Sequence, residues 1–309
     1  LLSMHGQWAD ARKYLDKVMR EASSYIKSDL PSSTWSMVKR WKISEGSVIY
    51  VTFSADKRYI YAKTEDGQTH IWEWPSGRKR TDVKFEATIS QSSTKRISKQ
   101  FLTQTANDVA VASDGITAVS IQGDETVKLL DMNSYQCIHE FVGHTRPVIA
   151  VTITNDGKIA ISGSMDKTVN IWDVENRALV ATLSGHEDCV TCVAVSEDGK
   201  TAISGSWDKT IRVWNLETKE CVSVLKSHKY DITSLSLSNN GQIAISCDYS
   251  HVIRIWDIKN KEVLAALHGH EDTITSIAVS SDGKLAVSAS VDGSVCVYED
   301  IGNRPCPCW

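Results

Sequence analysis

The amino-acid sequence predicts an all-β fold of six four-stranded antiparallel units, preceded by one amphipathic helix. Three observations carry that prediction: an internal period of 42 residues, apolar alternation of period two within each copy, and glycine-bearing turns between the alternating runs. The period shows in Gly143-His144, Gly185-His186, Ser227-His228 and Gly269-His270, whose histidines succeed one another every 42 residues. Leu130, Trp172, Trp214, Trp256 and Tyr298 keep the same spacing, each followed by Asp, Asn or Glu.

Within one copy, residues 148–153, 158–162 and 168–172 are β-branched or alternating runs, which read as strands. Asn155-Asp156-Gly157 and its counterparts Glu197-Asp198-Gly199, Asn239-Asn240-Gly241 and Ser281-Asp282-Gly283 put glycine where a tight hairpin needs positive φ. Residues 49–54 and 59–62, then Asp66-Gly67 and Trp72-Glu73, repeat the strand spacing without a Gly-His and supply the first unit. The last unit lacks an outer strand, because the chain turns to Pro305 and Pro307 after its third. Residues 38–43 occupy an outer-strand position ahead of the first unit, and pairing there would close the ring within one chain and leave no open edge. Six units is the first reading and seven the alternative.

Gly-His, then Ser-Gly-Ser-x-Asp-Lys-Thr, then Trp-Asp resemble the repeats of the WD-repeat family over roughly residues 37–300, most closely over 137–299. The resemblance implies a β-propeller with the units as blades, and a hydrogen-bonded His, Ser, Asp and Trp set inside each. Here those would be His144, Ser162, Asp166 and Trp172, then His186, Ser204, Asp208 and Trp214. The next two blades offer His228, Ser246 and Trp256, and His270, Ser288 and Asp292. The spacing supports the set independently: a tight turn at residues 166–167 should bring Ser162 opposite Trp172, where a hydroxyl accepts an indole N–H, and a carboxylate can orient the imidazole. Ser, His and Asp also suit a propeller hydrolase. A set repeated once per blade and satisfied by a buried Trp is structural, however, and no oxyanion-hole or nucleophile-turn motif accompanies it, so no enzyme activity is expected.

The pattern decays at defined places. The fifth unit has Ser250 where Asp208 would align, with Asp248 two residues early; the sixth has Tyr298 for Trp. The second has Leu130 for Trp and no His, and the first has Ala62 for Ser and no His. These units are expected to rest on packing more than on the polar set and to open before the third and fourth.

A formal net charge of −4 in 309 residues supplies no whole-chain electrostatic drive toward nucleic acid or an anionic membrane. No apolar run reaches membrane-span length and no secretory leader pattern begins the chain. Cys137, Cys189, Cys192, Cys221, Cys247 and Cys296 fall in or beside strands, which fits a reducing, cytoplasmic setting. Cys189 and Cys192 would point to opposite faces of a strand and no second pair exists, so neither metal nor cofactor is expected.

Partners are expected to be other proteins or peptides, held on the loops at one end of the ring. The turn tips there are Met165, Trp207, Tyr249 and Val291, and the residues two after each His are Arg146, Asp188, Tyr230 and Asp272. Aromatic tips with charged surroundings have the composition of an interaction hot spot. Recognition of a phosphorylated motif is the alternative, for which several converging cations would be required. A hydroxyl-rich, basic insertion at residues 84–101 leaves from the same end.

Trp8, Ala11, Leu15, Val18, Ala22 and Ile26 recur every three or four residues and give one apolar helical face. Residues 6–19 resemble the second helix of a tetratricopeptide repeat, an arrangement similar to multidomain regulators of the NACHT/WD-repeat type. The chain, which starts at Leu1, therefore reads as part of a larger polypeptide: a helical segment at 1–35, the propeller at 36–300 and a tail at 301–309.

Overall fold

A computed structural model describes residues 34–43, 46–54, 56–81, 108–134 and 136–301, which fold into six four-stranded antiparallel sheets. Sheet I holds β2 (Val48–Phe53), β3 (Tyr59–Thr64), β4 (Thr69–Glu73) and β5 (Arg78–Arg80). Sheet II holds β6 (Asp108–Val111), β7 (Thr117–Ile121), β8 (Thr126–Asp131) and β9 (Gln136–Val142). Sheet III is β10 (Val148–Ile153), β11 (Ile159–Ser164), β12 (Val169–Asp173) and β13 (Ala178–Leu183). Sheet IV is β14 (Val190–Val195), β15 (Thr201–Ser206), β16 (Thr210–Asn215) and β17 (Glu220–Lys226). Sheet V is β18 (Ile232–Leu237), β19 (Ile243–Asp248), β20 (Ile253–Asp257) and β21 (Glu262–Leu267). In sheet VI, β22 (Ile274–Val279), β23 (Leu285–Ser290) and β24 (Ser294–Asp300) are joined by β1 (Trp35–Lys42) from the other end of the chain.

Local chemistry explains each meander. In the turn after β10, the Thr154 hydroxyl donates to Asp156 Oδ1 at 2.6 Å, the same carboxylate accepts the Lys158 amide, and Gly157 takes a φ of 71° that a side chain would resist. The turn after β14 repeats this arrangement with Ser196, Asp198 and Gly199. The second and third strands of sheet III are buried on both faces because the sheet lies between sheets II and IV.

The cores lie between sheets. One apolar cluster spans sheets II and III around Phe141 and Trp172, another III and IV around Trp214, a third IV and V around Trp256. Gly163 permits the close approach of III and IV, since a Cβ there would meet Val190 Cγ1 at 2.5 Å. Sheets V and VI share a cluster that includes Trp35, and VI and I share another. Across the VI–I junction Thr275 Oγ1 donates to the Val48 carbonyl, the Val51 amide donates to Ser276 Oγ at 3.3 Å, and Trp41 of β1 stacks on Trp72 with centroids 4.9 Å apart. Junction I–II differs. Among the described residues the cluster of Val109, Val111, Ala118 and Leu130 contains no member of sheet I.

The structure adds β1 to the sixth sheet, antiparallel to β24 with Trp35 beside Asp300 and Lys42 beside Ser294. The strand runs from Trp35 to Lys42, three residues earlier in its start than the 38–43 the sequence suggests. The expected pairing of Ser162 with Trp172 is wrong by two residues: Ser162 lies opposite Asn170 and Trp172 opposite Ala160, so the indole reaches its serine along a diagonal. The helix expected over residues 8–26, the insertion at 84–101 and all of the tail beyond 301 lie outside the described residues. Among the described residues no helix is long and apolar enough to cross a membrane.

Trp35 is 6% exposed and packs into the core between sheets V and VI, anchoring the strand that completes sheet VI. Trp35→Ala should therefore cost about 3 kcal/mol, as deletion of a buried aromatic does. The cost should appear as a lower urea midpoint; an unchanged midpoint would show that β1 does not hold the last sheet.

Candidate functional site

The repeated polar set forms a directed chain of hydrogen bonds inside sheets III and IV. Trp172 Nε1 donates to Ser162 Oγ at 2.8 Å, and that oxygen lies 2.8 Å from His144 Nε2. His144 Nδ1 lies 2.8 Å from Asp166 Oδ2. An ionised carboxylate only accepts, so Nδ1 carries the proton, Nε2 accepts from the serine, and the serine oxygen is left to take the indole. Sheet IV repeats this with Trp214, Ser204, His186 and Asp208 at 2.8, 2.8 and 2.7 Å. The other carboxylate oxygen accepts the hydroxyl and amide of Thr168 or Thr210, and Oδ2 also accepts the loop amide of Thr145 or Glu187.

Sheet V corrects an expectation. Its polar set is complete: Trp256 Nε1 donates to Ser246 Oγ at 2.7 Å, Ser246 Oγ lies 2.6 Å from His228 Nε2, and His228 Nδ1 lies 2.8 Å from Asp248 Oδ2. Asp248 ends β19, at the register position held by Ser206 in sheet IV, and reaches the imidazole from the strand instead of from the turn. Ser250, at the turn position, donates to it through both backbone amide and hydroxyl. Arg254 Nη1 lies 2.9 Å from His228 Nδ1 and 3.4 Å from Asp248 Oδ2, so the buried carboxylate is shared between an imidazole and a guanidinium. In sheet VI His270 meets Ser288 at 2.7 Å and Asp292 at 3.1 Å, but Tyr298 stands where an indole would serve Ser288. Among the described residues sheet I keeps the Thr64–Asp66 bond of the turn, and His70, which is not at the motif histidine's position, stacks on Trp72.

Burial holds the imidazoles of His144, His228 and His270 below their ordinary range, against the pull of their aspartates. Burial pushes the aspartates the other way, but it is outweighed. The bonds to His228 and Ser250 hold Asp248 at about 2, and those to Ser294 and the Glu271 amide hold Asp292 at about 2. Neutral imidazole facing ionised carboxylate is therefore the state of these sets. Burial also raises the thiols of Cys189 to about 11 and of Cys192 to about 12, which leaves them unreactive. Among the described residues no group of three or more His, Cys, Asp or Glu is arranged to hold a metal ion.

These sets fix the loops at one end of the ring. Ser164, Ser206 and Ser290 donate to the carbonyls of Arg146, Asp188 and Asp272 at 2.9, 3.0 and 3.0 Å. The amides of Met165, Trp207 and Val291 bond to the carbonyls of Pro147, Cys189 and Thr273. In sheets III, IV and VI the turn tip and the residue two after the His are thereby brought together. Trp207, Tyr230 and Tyr249 are 40%, 53% and 51% exposed; Val291 is exposed too, whereas Met165 is half-buried. Arg146, Asp188 and Asp272 are exposed. In the sequence Asp248 stands out as lying two residues early without being assigned to the polar set, and Arg254 is missed. The available signal was that Arg254 stands 42 residues after Arg212, and that Asp248 is the nearest carboxylate before the fifth turn.

The family model described as WD domain, G-beta repeat matches residues 135–173, 177–215, 219–257 and 261–299, about half of the chain and sheets III to VI with the outer strand of sheet II. No curated protein matches the chain.

Two outcomes follow from the geometry. Asp248→Ala should cost about 3 kcal/mol, as removal of one partner of a buried ion pair does, and Ser250→Ala under about 1 kcal/mol; denaturant melts of both variants check the assignment. The pH dependence has a definite sign. A depressed imidazole leaves the unfolded chain to take the proton first, and a depressed carboxylate does the same, so both contributions are present at neutral pH and lost as pH falls. The melting temperature should decline below about pH 6.5 through the histidines and more steeply below about pH 4 through the aspartates. A rise between pH 7 and 5 would contradict the neutral-imidazole assignment.

Proposed function

The chain belongs to the WD-repeat family, and from that premise we propose a non-enzymatic protein-interaction module, a scaffold or ligand-sensing element, with its partner face on the loop end of sheets III to VI. Repeats of this family generally mediate contacts between proteins. The observation that carries the reading is the exposure of Trp207, Tyr230 and Tyr249 on neighbouring loops of sheets IV and V. Large aromatics at turn tips are absent from the apolar clusters between sheets, so their burial is left for a partner. Arg146, Met165, Asp188, Asp272 and Val291 extend the same face with a mixed, half-polar rim.

The Ser, His and Asp sets argue against hydrolysis on steric grounds. Ser162, Ser204 and Ser246 have no exposed surface, and each oxygen is engaged by an indole and an imidazole. A nucleophile in that position meets no substrate. We read the ring as six blades closed within one chain by β1, working inside the cell; the sheet order and the scatter of cysteines through strands support that reading.

Trp207→Ala combined with Tyr249→Ala should abolish capture of the partners held by the wild-type chain while shifting the melting temperature by no more than about 2 °C, in keeping with exposed positions. Ile116→Ala, an equally exposed apolar change on a turn at the opposite end, should leave capture intact. Quantitative mass spectrometry of the three captures checks this, and retention of the same partners by the double variant sinks the assignment.

A further inference from the structure

We propose that the occupant of the aromatic face is a cationic peptide segment, which lays a lysine or arginine over Tyr230 between two pairs of carboxylates. The inference rests on the partner-face reading above. Asp188, Tyr230 and Asp272 hold one register position, two residues before β14, β18 and β22, the inner strands of three consecutive sheets. Glu187 and Glu271 precede the two aspartates, so an acidic pair flanks Tyr230 on either side.

Both pairs are built in the same way. The Glu187 amide donates to Asp208 Oδ2 at 3.0 Å and the Glu271 amide to Asp292 Oδ2 at 2.9 Å. The Asp188 and Asp272 carbonyls are held by Ser206 and Ser290, and each carboxylate accepts the next amide in the chain. The backbone of both pairs and the two aspartate carboxylates are therefore fixed in place before any partner arrives. Tyr249 and Trp207 add aromatic surface from the adjacent turns, and a cation over an aromatic face is attracted by the ring quadrupole.

The charge balance of these loops is negative. Glu187, Asp188, Asp231, Glu271 and Asp272 face one loop cation, Lys229. Of the cations on neighbouring elements, Lys167 Nζ is on the Glu187 carbonyl, Lys42 Nζ is on the Asp292 carbonyl and Arg40 bridges Glu271 and Asp292. Arg212 is on the Gly185 carbonyl and Arg254 on Ser227 and Asp248, while Lys226, Lys209 in the turn beside Trp207 and Arg146 on the third loop stand nearby. With Glu271 paired to Arg40, an acidic partner would meet the other four carboxylates, which a basic one complements.

The test uses the 309-residue chain and short fluorescein-labelled peptides of one Gly/Ser background that carry lysine and arginine, glutamate, or no charge. Fluorescence anisotropy should show binding of the basic peptide alone, weakening as salt is raised. Tyr230→Ala, and separately Asp188→Asn with Asp272→Asn, should each weaken it by about tenfold or more, with melting temperatures retained. Binding of the glutamate or neutral peptide as tightly as the basic one, indifference to the paired Asn changes, or no binding of the basic peptide overturns the inference. If an acidic or neutral peptide binds and Trp207→Ala with Tyr249→Ala removes it, the cationic inference fails and the partner face stands. If the basic peptide still binds after Trp207, Tyr230 and Tyr249 are all replaced by Ala, both fail.

Discussion

A buried serine hydroxyl that receives an indole N–H and gives its own proton to an imidazole is the interaction on which the rest of this ring depends. Ser162 and Ser204 each sit on the second strand of a sheet, Trp172 and Trp214 on the third, and His144 and His186 in the loop before the first. One oxygen atom thus ties three segments of a blade at the plane where neighbouring sheets meet. None of these groups can find water there, so a missing member leaves the others unpaired in a low-dielectric interior, at a cost of several kcal/mol. That asymmetry makes each member depend on the others, and where one is replaced, as by Tyr298 in sheet VI, the remaining His270, Ser288 and Asp292 still bond to one another. Sheets III, IV and V are complete, whereas sheet II keeps Ser120 and the Asp124–Thr126 turn but has the apolar Leu130 at the indole's position.

Sheet V shows that the chemistry, rather than the motif, is what the blade requires. The carboxylate has moved from the turn to the end of β19, and its oxygen still lies 2.8 Å from the imidazole. The move has a consequence. Asp248 takes the place of the serine that elsewhere clamps the loop carbonyl, and Arg254 enters beside it, bonded to Ser227 Oγ at 3.1 Å. Burial holds the His228 imidazole neutral with the Arg254 charge adding to it, while the bonds from His228 and Ser250 keep the Asp248 carboxylate ionised.

Periodicity made the architecture legible, because a 42-residue repeat with period-two alternation admits few solutions other than stacked four-stranded sheets. The N-terminal strand was readable for a negative reason: the last unit had no outer strand, and an open edge demands a partner. What alignment could not convey was geometry that compensates across positions. Ser250 occupied the expected place of an aspartate, and nothing in a one-dimensional match says that a side chain two residues earlier reaches the same atom. The diagonal from Trp172 to Ser162 was misjudged for a related reason. An indole is long enough to span two register steps, and strand pairing alone counts only the nearest cross-strand neighbours. The exposure of Trp207 and Tyr249 followed from their place at turn tips, yet the partial burial of Met165 did not, since all three share one position in the repeat.

Stability and recognition are not separate parts of this molecule. The carboxylate that accepts the imidazole in sheets III, IV and VI also accepts the amide of Thr145, Glu187 or Glu271, one residue before Arg146, Asp188 or Asp272. A buried charge thereby sets the backbone of the exposed loop. Loops pinned in this manner give up little conformational entropy when a partner settles on them, which is the condition for a small aromatic face to bind well. The same coupling lets the loop residue vary between Arg and Asp while the imidazole–carboxylate distances beneath stay within a few tenths of an ångström. The network fixes where the loop is, so the side chain above it is free to differ from blade to blade, and with it the chemistry the face presents.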